Sequence, residues 1–112
     1  MSIATDLAAI KIVADLEKTN DQPKILKNTV DTLVESVQYI HYAALHVSNQ
    51  QPVIASDTDG DEYIGSLSFT LGKEEDDGKL VVRTKENIAF DVTDLSTLQT
   101  IADRLNTRLF SH

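Results

Sequence analysis

The spacing of the apolar residues changes twice along this chain, and these changes constrain the fold more than any other feature. Up to about residue 40 the apolar residues recur at gaps of three and four, as in a helix. They then alternate with polar residues in short segments up to about residue 92, and helical spacing returns afterwards. Because the loops between the short segments are brief, neighbouring strands must be mostly antiparallel.

The first two segments predict two helices. An apolar stripe in the first segment consists of Ile3, Leu7, Ile10 and Ala14, which are separated by gaps of four and three. Pro23 suits the opening turn of a second helix, because its missing N–H group would be unpaired there anyway. We expect that helix to span about residues 23 to 40.

A narrow apolar seam runs along the second predicted helix. Leu26, Val30, Leu33 and Val37 repeat at the spacing of a coiled coil. Two interpretations are open: the seam covers the sheet of its own chain, or it joins two copies of the chain in a homodimer.

Five short strands are expected in the middle of the chain. Their sequences are YAALHVS, PVIAS, EYIGSLSFTL, KLVVRTK and NIAFDV. A closing helix follows, capped by Thr93 or Asp94. Its predicted apolar side comprises Leu95, Leu98, Ile101, Ala102, Leu105 and Leu109. The sequence therefore predicts an α+β fold, with a sheet of about five antiparallel strands covered on one face by two N-terminal helices and one C-terminal helix.

Composition excludes several kinds of chemistry. The chain has no cysteine, so it can form no disulfide, thiolate metal site or thiol nucleophile. The formal net charge of -8 disfavours binding to nucleic acid. The N-terminus lacks the features of an export signal, and no apolar run reaches the length of a membrane span. We therefore expect a cytoplasmic protein that binds neither nucleic acid nor membrane.

The segment from Asp57 to Ser68 resembles the calcium loop of an EF-hand in part of its pattern. Asp57, Asp59 and Asp61 occupy three ligand positions of such a loop. Glu62 stands where the loop needs glycine, and Ser68 stands where it needs a bidentate glutamate. We therefore interpret residues 57–62 as an acidic connector, with weak cation binding left open.

The same interpretation applies to the acidic run from Glu74 to Asp77 between two glycines. It predicts a solvated hairpin loop, and binding of a cation or of a basic partner there is the alternative.

No catalytic or metal-binding constellation stands out. His41 and His46 are five residues apart in an extended segment and should point to opposite faces of the sheet. Ser56, Asp57 and His46 could be combined into a triad, but the sequence around the serine is not that of a nucleophile elbow. Neither phosphate-loop pattern occurs. We expect no enzyme activity, cofactor or metal.

The stretch HYAALHVSNQQPVIASDTDG and the closing FDVTDLSTLQTIADRLNTRL resemble a GAF domain over roughly residues 25 to 110. The family pattern of the last helix corresponds to Asp94, Leu98, Ile101, Ala102 and Leu105. The ligand signature of the cyclic-nucleotide-binding members and the cysteines of other members are absent. The resemblance implies a minimal GAF-like module, with a fold of the GAF, PAS and profilin type, that pairs through its helices.

Three functions are compatible with the sequence. The first is a non-enzymatic regulatory or interaction module, residues 1–112, homodimeric through its helices, with residues 1–22 as a dimerisation arm. The second is a sensor whose small-molecule ligand, of unknown identity, binds the free face of the sheet. We expect that pocket around Leu45, Ile64, Leu67 and Val82. The third is an acidic protein that binds a basic protein partner.

Overall fold

A computed structural model describes residues 2–56, 62–74, 77–86 and 90–110. Within these residues the chain forms helices at both ends and strands between them, in the predicted order. The helices are α1 (Ser2–Lys18), α2 (Gln22–Ser36) and α3 (Val92–Phe110), and the strands are β1 (Tyr42–Val47), β2 (Val53–Ser56), β3 (Gly65–Leu71) and β4 (Gly78–Thr84).

Helix α2 begins as predicted but ends earlier. Pro23 lies in its first turn, where no intrahelical partner for an N–H group is lost. Val37 ends the helix with an extended backbone, and its N–H group donates to the carbonyl of Leu33. Because the chain leaves the helix here, Tyr39 and Ile40 belong to the connection that leads into β1.

The described strands form one antiparallel sheet in the order β2-β1-β4-β3. Pro52 directly precedes β2, an edge strand, where a missing backbone donor does little harm. The fifth expected strand, residues 87–92, is not confirmed. Residues 87–89 lie outside the described part of the chain, and Val92 already begins α3.

The three helices lie on one side of the sheet in two layers. Helix α2 packs on β1 and β2, while α3 packs on β3. Helix α1 packs on α2 and α3, so it forms the outer layer. The predicted apolar side of α3 is largely confirmed, because Leu98, Ile101 and Leu105 are fully buried, whereas Leu95 is 38% exposed.

The predicted apolar stripe of α1 does not face the core. Its members Leu7 and Ile10 are 61% and 68% exposed. The buried side of α1 instead comprises Thr5, Ala8, Ile12 and Leu16. Because α1 is apolar on two sides, the sequence pattern does not say which side packs against the rest of the chain. No helix in the described part of the chain is long and apolar enough to cross a membrane.

The seam of α2 lies inside the core of a single chain. Leu26, Val30, Leu33 and Val37 all belong to the main buried cluster, and none is more than 2% exposed. A second copy could reach these side chains only if the helix layer separated from the sheet. Their burial therefore favours the interpretation that the seam covers the sheet.

Candidate functional site

The sheet has one face under the helices and one face turned away from them. Side chains alternate between the two faces along each strand. Leu45, Leu67 and Val82 pack with the helices, and Leu45 and Val82 are fully buried there. The pocket predicted on the other face from these residues is therefore wrong. The fourth expected member, Ile64, precedes β3 and is 65% exposed.

We call the side away from the helices the free face. The strand register places three cross-strand rows on it. The first row is Ser56, Tyr42, Arg83 and Ser66; the second is Ile54, Ala44, Val81 and Ser68; the third is His46, Lys79 and Thr70. None of these strand positions is Asp or Glu. In a chain with a net charge of -8, the described strand positions of this face therefore carry basic and neutral side chains only.

A cation–aromatic cluster occupies one end of the free face. The guanidinium carbon of Arg83 lies 4.7 Å from the ring centroid of Tyr42 and 5.8 Å from that of Tyr63. The two tyrosine rings are 5.5 Å apart, and the amine of Lys85 lies 5.6 Å from the Tyr63 ring. Such contacts attract the cation to the ring faces and limit its motion. Arg83 is thus held over the sheet by two aromatic rings.

A second pair of nitrogen-containing side chains lies at the other end. His46 on β1 is directly opposite Lys79 on β4. Burial lowers the pKa of His46 below its usual value, and the positive charges of Lys79 and Arg83 lower it further. The charges of these three side chains therefore act on one another, and they repel when His46 is protonated.

The structure does not bring His41, His46 and Ser56 together, and the sequence does not favour a triad built on Ser56 and His46. Nδ1 of His41 accepts a 3.0 Å hydrogen bond from the backbone N–H of Lys85. Ser56 pairs opposite Tyr42, and His46 is four residues further along β1, about 13 Å at the rise of a strand. Asp57 lies outside the described residues. In the described part of the chain, no group of three or more His, Asp or Glu side chains could hold a metal ion.

The second acidic run contains a carboxylate with a structural role. Oδ2 of Asp77 accepts hydrogen bonds from the backbone N–H groups of Lys73 and Glu74, at 2.9 and 3.1 Å. These bonds close the β3–β4 connection, in which Gly72 has a positive φ of 80°. Residues 75 and 76 of this run, and residues 57–61 of the EF-hand-like segment, lie outside the described residues.

A buried carboxylate, Asp94, which the sequence indicated only as a helix cap and as a position of the GAF-like pattern, joins three parts of the chain. Asp94 is 1% exposed, and its Oδ1 accepts hydrogen bonds from the hydroxyls of Tyr39 at 2.6 Å and Thr5 at 3.0 Å. Burial opposes ionisation of Asp94, but these bonds and one from the backbone of Asp91 outweigh it and lower its pKa. Burial, followed by the bond to Asp94, raises the pKa of Tyr39.

Asp94 also belongs to the cap of α3. The backbone N–H of Asp94 donates to Oδ1 of Asp91 at 2.7 Å, and that of Asp91 donates to Oδ2 of Asp94 at 3.2 Å. This reciprocal arrangement is a capping box. The predicted cap at Thr93 or Asp94 is therefore wrong by two or three residues. The spacing Asp91-x-x-Asp94 was the sequence signal that could have placed it.

No known protein family and no curated protein matches this sequence. The class of protein is defined by its architecture: an α+β protein with three helices on one side of a four-stranded antiparallel sheet, as described over residues 2–56, 62–74, 77–86 and 90–110. The likeness to GAF domains stays a prediction.

Proposed function

We propose that the chain is a non-enzymatic, GAF-like interaction module that forms a homodimer through the outer stripe of α1, defined as Leu7, Ile10 and Ala14. The observation that carries the proposal is the double-sided apolar character of α1. One side of the helix is buried on α2 and α3, while Leu7 and Ile10 on the other side are more than half exposed. Large exposed aliphatic side chains at heptad spacing are typical of a helix that pairs with another helix.

The charges beside the outer stripe favour a second copy in parallel orientation. The outer stripe fits a heptad, with Leu7 and Ala14 at positions a and Ile10 at position d. In this heptad register, Asp6 falls at position g and Lys11 falls at position e. In a parallel pair, the g residue of one helix meets the e residue of the following heptad in the other. Asp6 of each copy would therefore meet Lys11 of the other, which gives two pairs of opposite charge.

Sedimentation velocity at micromolar concentration tests the dimer. Ile10→Asp should convert the protein to a monomer, because it places a carboxylate in an apolar interface. Ile64→Asp is the matched control, since Ile64 is 65% exposed and lies away from α1. A wild-type protein that sediments as a monomer, or equal behaviour of the two variants, would refute the proposal.

Cross-linking tests the orientation. The natural chain has no cysteine, so Ile10→Cys introduces a single thiol. In a parallel pair each position meets its own counterpart, and we expect this variant to form a disulfide-linked dimer under mild oxidation. A sedimenting dimer without that cross-link would exclude the parallel arrangement and leave a dimer of another geometry.

A second candidate function is the binding of a small molecule on the free face. The observation that favours it is the basic character of that face, which differs from the acidic balance of the chain as a whole. In a thermal-shift screen of metabolites, stabilisation that Arg83→Gln removes would support it. A screen without any stabilising compound would count against it.

A further inference from the structure

We infer that β3 is a docking edge for an extended basic segment of a partner protein, which adds a fifth strand to the described sheet. The segment pairs with the backbone of Gly65–Leu71, and its basic residues lie near the acidic runs at the two ends of this strand. Pairing through α1 is not required, because α1 belongs to the outer helix layer.

The two edges of the described sheet differ in how well they are protected. An edge strand can pair with another chain, and proteins usually prevent this with proline, charge, a bulge or a short strand. β2 has four residues and is preceded by Pro52. β3 has seven residues, GSLSFTL, without charge or proline, and its register with β4 continues without a bulge from Gly65 to Leu71. β3 is therefore the edge that can accept another strand.

The outer edge of β3 is accessible. In the part of the chain that the structure describes, β3 is the last strand on its side of the sheet and pairs with β4 alone. Alternate residues of such a strand direct their N–H and C=O groups away from the sheet. The side chains of Ser66, Ser68 and Thr70 are exposed, and Leu67 is half-buried. An added strand can therefore reach the backbone of β3 and pair with these groups.

The surroundings of β3 favour a segment in which apolar and neutral polar residues alternate. Leu95 is 38% exposed and lies about three helical turns from Asn106, on the same side of α3. That side faces β3, because Oδ1 of Asn106 accepts a 2.6 Å hydrogen bond from the N–H of Gly72. Apolar side chains of an added strand would contact Leu67 and Leu95. On the free face their neighbours are hydroxyl side chains such as Ser68, which suit polar residues.

The charges around β3 favour basic residues at the ends of the segment. The sequence before β3 contains DTDGDE, residues 57–62, and the sequence after it contains EEDD, residues 74–77. Together with the net charge of -8, these runs attract a basic segment towards an edge that itself carries no charge. Lys79 and Arg83 on β4 lie opposite Thr70 and Ser66, so the middle of the segment should be neutral.

A second copy of the chain fits this edge less well than an isolated strand does. Because α3 packs on β3, two copies joined at β3 would carry their α3 helices over strands only about 4.8 Å apart. Packed helices need about 8–10 Å between their axes. An extended segment brings no helix with it and avoids this overlap.

An NMR titration with the end-blocked peptide Lys-Lys-Thr-Val-Thr-Val-Thr-Lys-Lys tests the inference. The peptide reads the same in both directions, so it can pair in parallel or antiparallel orientation. We expect the amide signals of Gly65–Leu71 to shift, and the outward amides of this strand to exchange more slowly with solvent. The peptide Lys-Lys-Thr-Pro-Thr-Pro-Thr-Lys-Lys has the same charge but lacks two backbone donors, and it should not bind. A peptide with glutamate in place of each lysine should bind more weakly.

Charge variants of the protein test the location. Glu62→Gln combined with Glu74→Gln should weaken binding of the lysine peptide about two- to fivefold, since both glutamates are exposed. Glu35→Gln is the control, because Glu35 lies beside β2 at the other edge, and it should leave binding unchanged. A larger loss in Glu35→Gln would place the peptide at β2 and overturn the assignment to β3. Equal binding of the proline peptide would overturn strand pairing, and equal binding of the glutamate peptide would overturn the basic character of the partner.

Docking at β3 and pairing through α1 can fail separately. Ile10→Asp should leave binding of the lysine peptide unchanged, because Ile10 lies in the outer helix layer. A dimer that persists in Ile10→Asp and dissociates when the peptide is added would assign the β3 edge to a second copy and overturn the inference. Absence of any shift in the β3 amides would overturn it as well, whether or not the chain pairs through α1.

Discussion

The hydroxyl of Tyr39 donates a 2.6 Å hydrogen bond to Oδ1 of Asp94, although 55 residues separate them in the sequence. Tyr39 lies in the connection between α2 and β1, and Asp94 lies in the first turn of α3. Thr5 of α1 donates to the same oxygen. The buried carboxylate therefore joins α1 and α3 to the connection between α2 and β1, and its hydrogen bonds compensate for the loss of hydration that burial imposes.

Removing the Tyr39 hydroxyl should destabilise the fold measurably. Tyr39→Phe keeps the ring and its edge-to-face contact with Phe90 but leaves Asp94 with one donor fewer. Hydrogen bonds to charged groups contribute about 1.5–3 kcal/mol, and we expect a loss of that size in the free energy of unfolding, measured by urea denaturation at pH 7. The matched control is Tyr42→Phe on the free face, with a change within about 0.5 kcal/mol. Equal losses in the two variants would contradict a special role for the bond to Asp94.

The stability that Asp94 provides should depend on pH. The lowered pKa of Asp94 means that the folded chain binds this proton less readily than the unfolded chain does. The contribution of Asp94 to the free energy of unfolding is therefore fully present above its unfolded-state pKa of about 3.9. It is lost as the pH falls through the lower pKa of the folded state. We expect Asp94→Asn to be less stable than wild type at pH 7, and the difference to shrink below about pH 4. Urea denaturation at each pH checks this, and a difference that stays constant into acid would refute it.

Much of the architecture could be predicted because it depends on local patterns. The order of elements and the antiparallel pairing follow from periodicity and loop length. The end of α2 at Val37 was not predictable, because apolar spacing continues past it into a connection that is itself buried. The buried side of α1 was not predictable for a related reason, since two apolar sides of one helix give no signal for which is inside.

The candidate site was predictable only in outline. A free sheet face was expected, but its chemistry depends on strand register, which decides whether Leu45 or His46 faces the helices. A shift of one residue exchanges the two faces, and nothing local in YAALHVS fixes that choice, since both faces of β1 carry apolar residues. In the Asp94 cluster, Tyr39 is 55 positions and Thr5 is 89 positions away from Asp94 in the sequence. No local pattern reveals contacts between residues so far apart.

The two sides of α1 should differ sharply in their energetic contribution, and two isoleucines in the same helix allow a matched comparison. Ile12 is 1% exposed and Ile10 is 68% exposed. Ile12→Ala leaves a cavity in the core and should lower the free energy of unfolding by about 2–5 kcal/mol at any protein concentration. If α1 pairs as proposed, Ile10→Ala removes contacts only between the two copies, so its effect should be within about 0.5 kcal/mol in dilute solution and grow as the protein concentration rises. Urea denaturation of both variants across a concentration series measures this. A concentration-independent loss of equal size at both positions would mean that the side of α1 carrying Ile10 packs within the chain and is not available to a second copy.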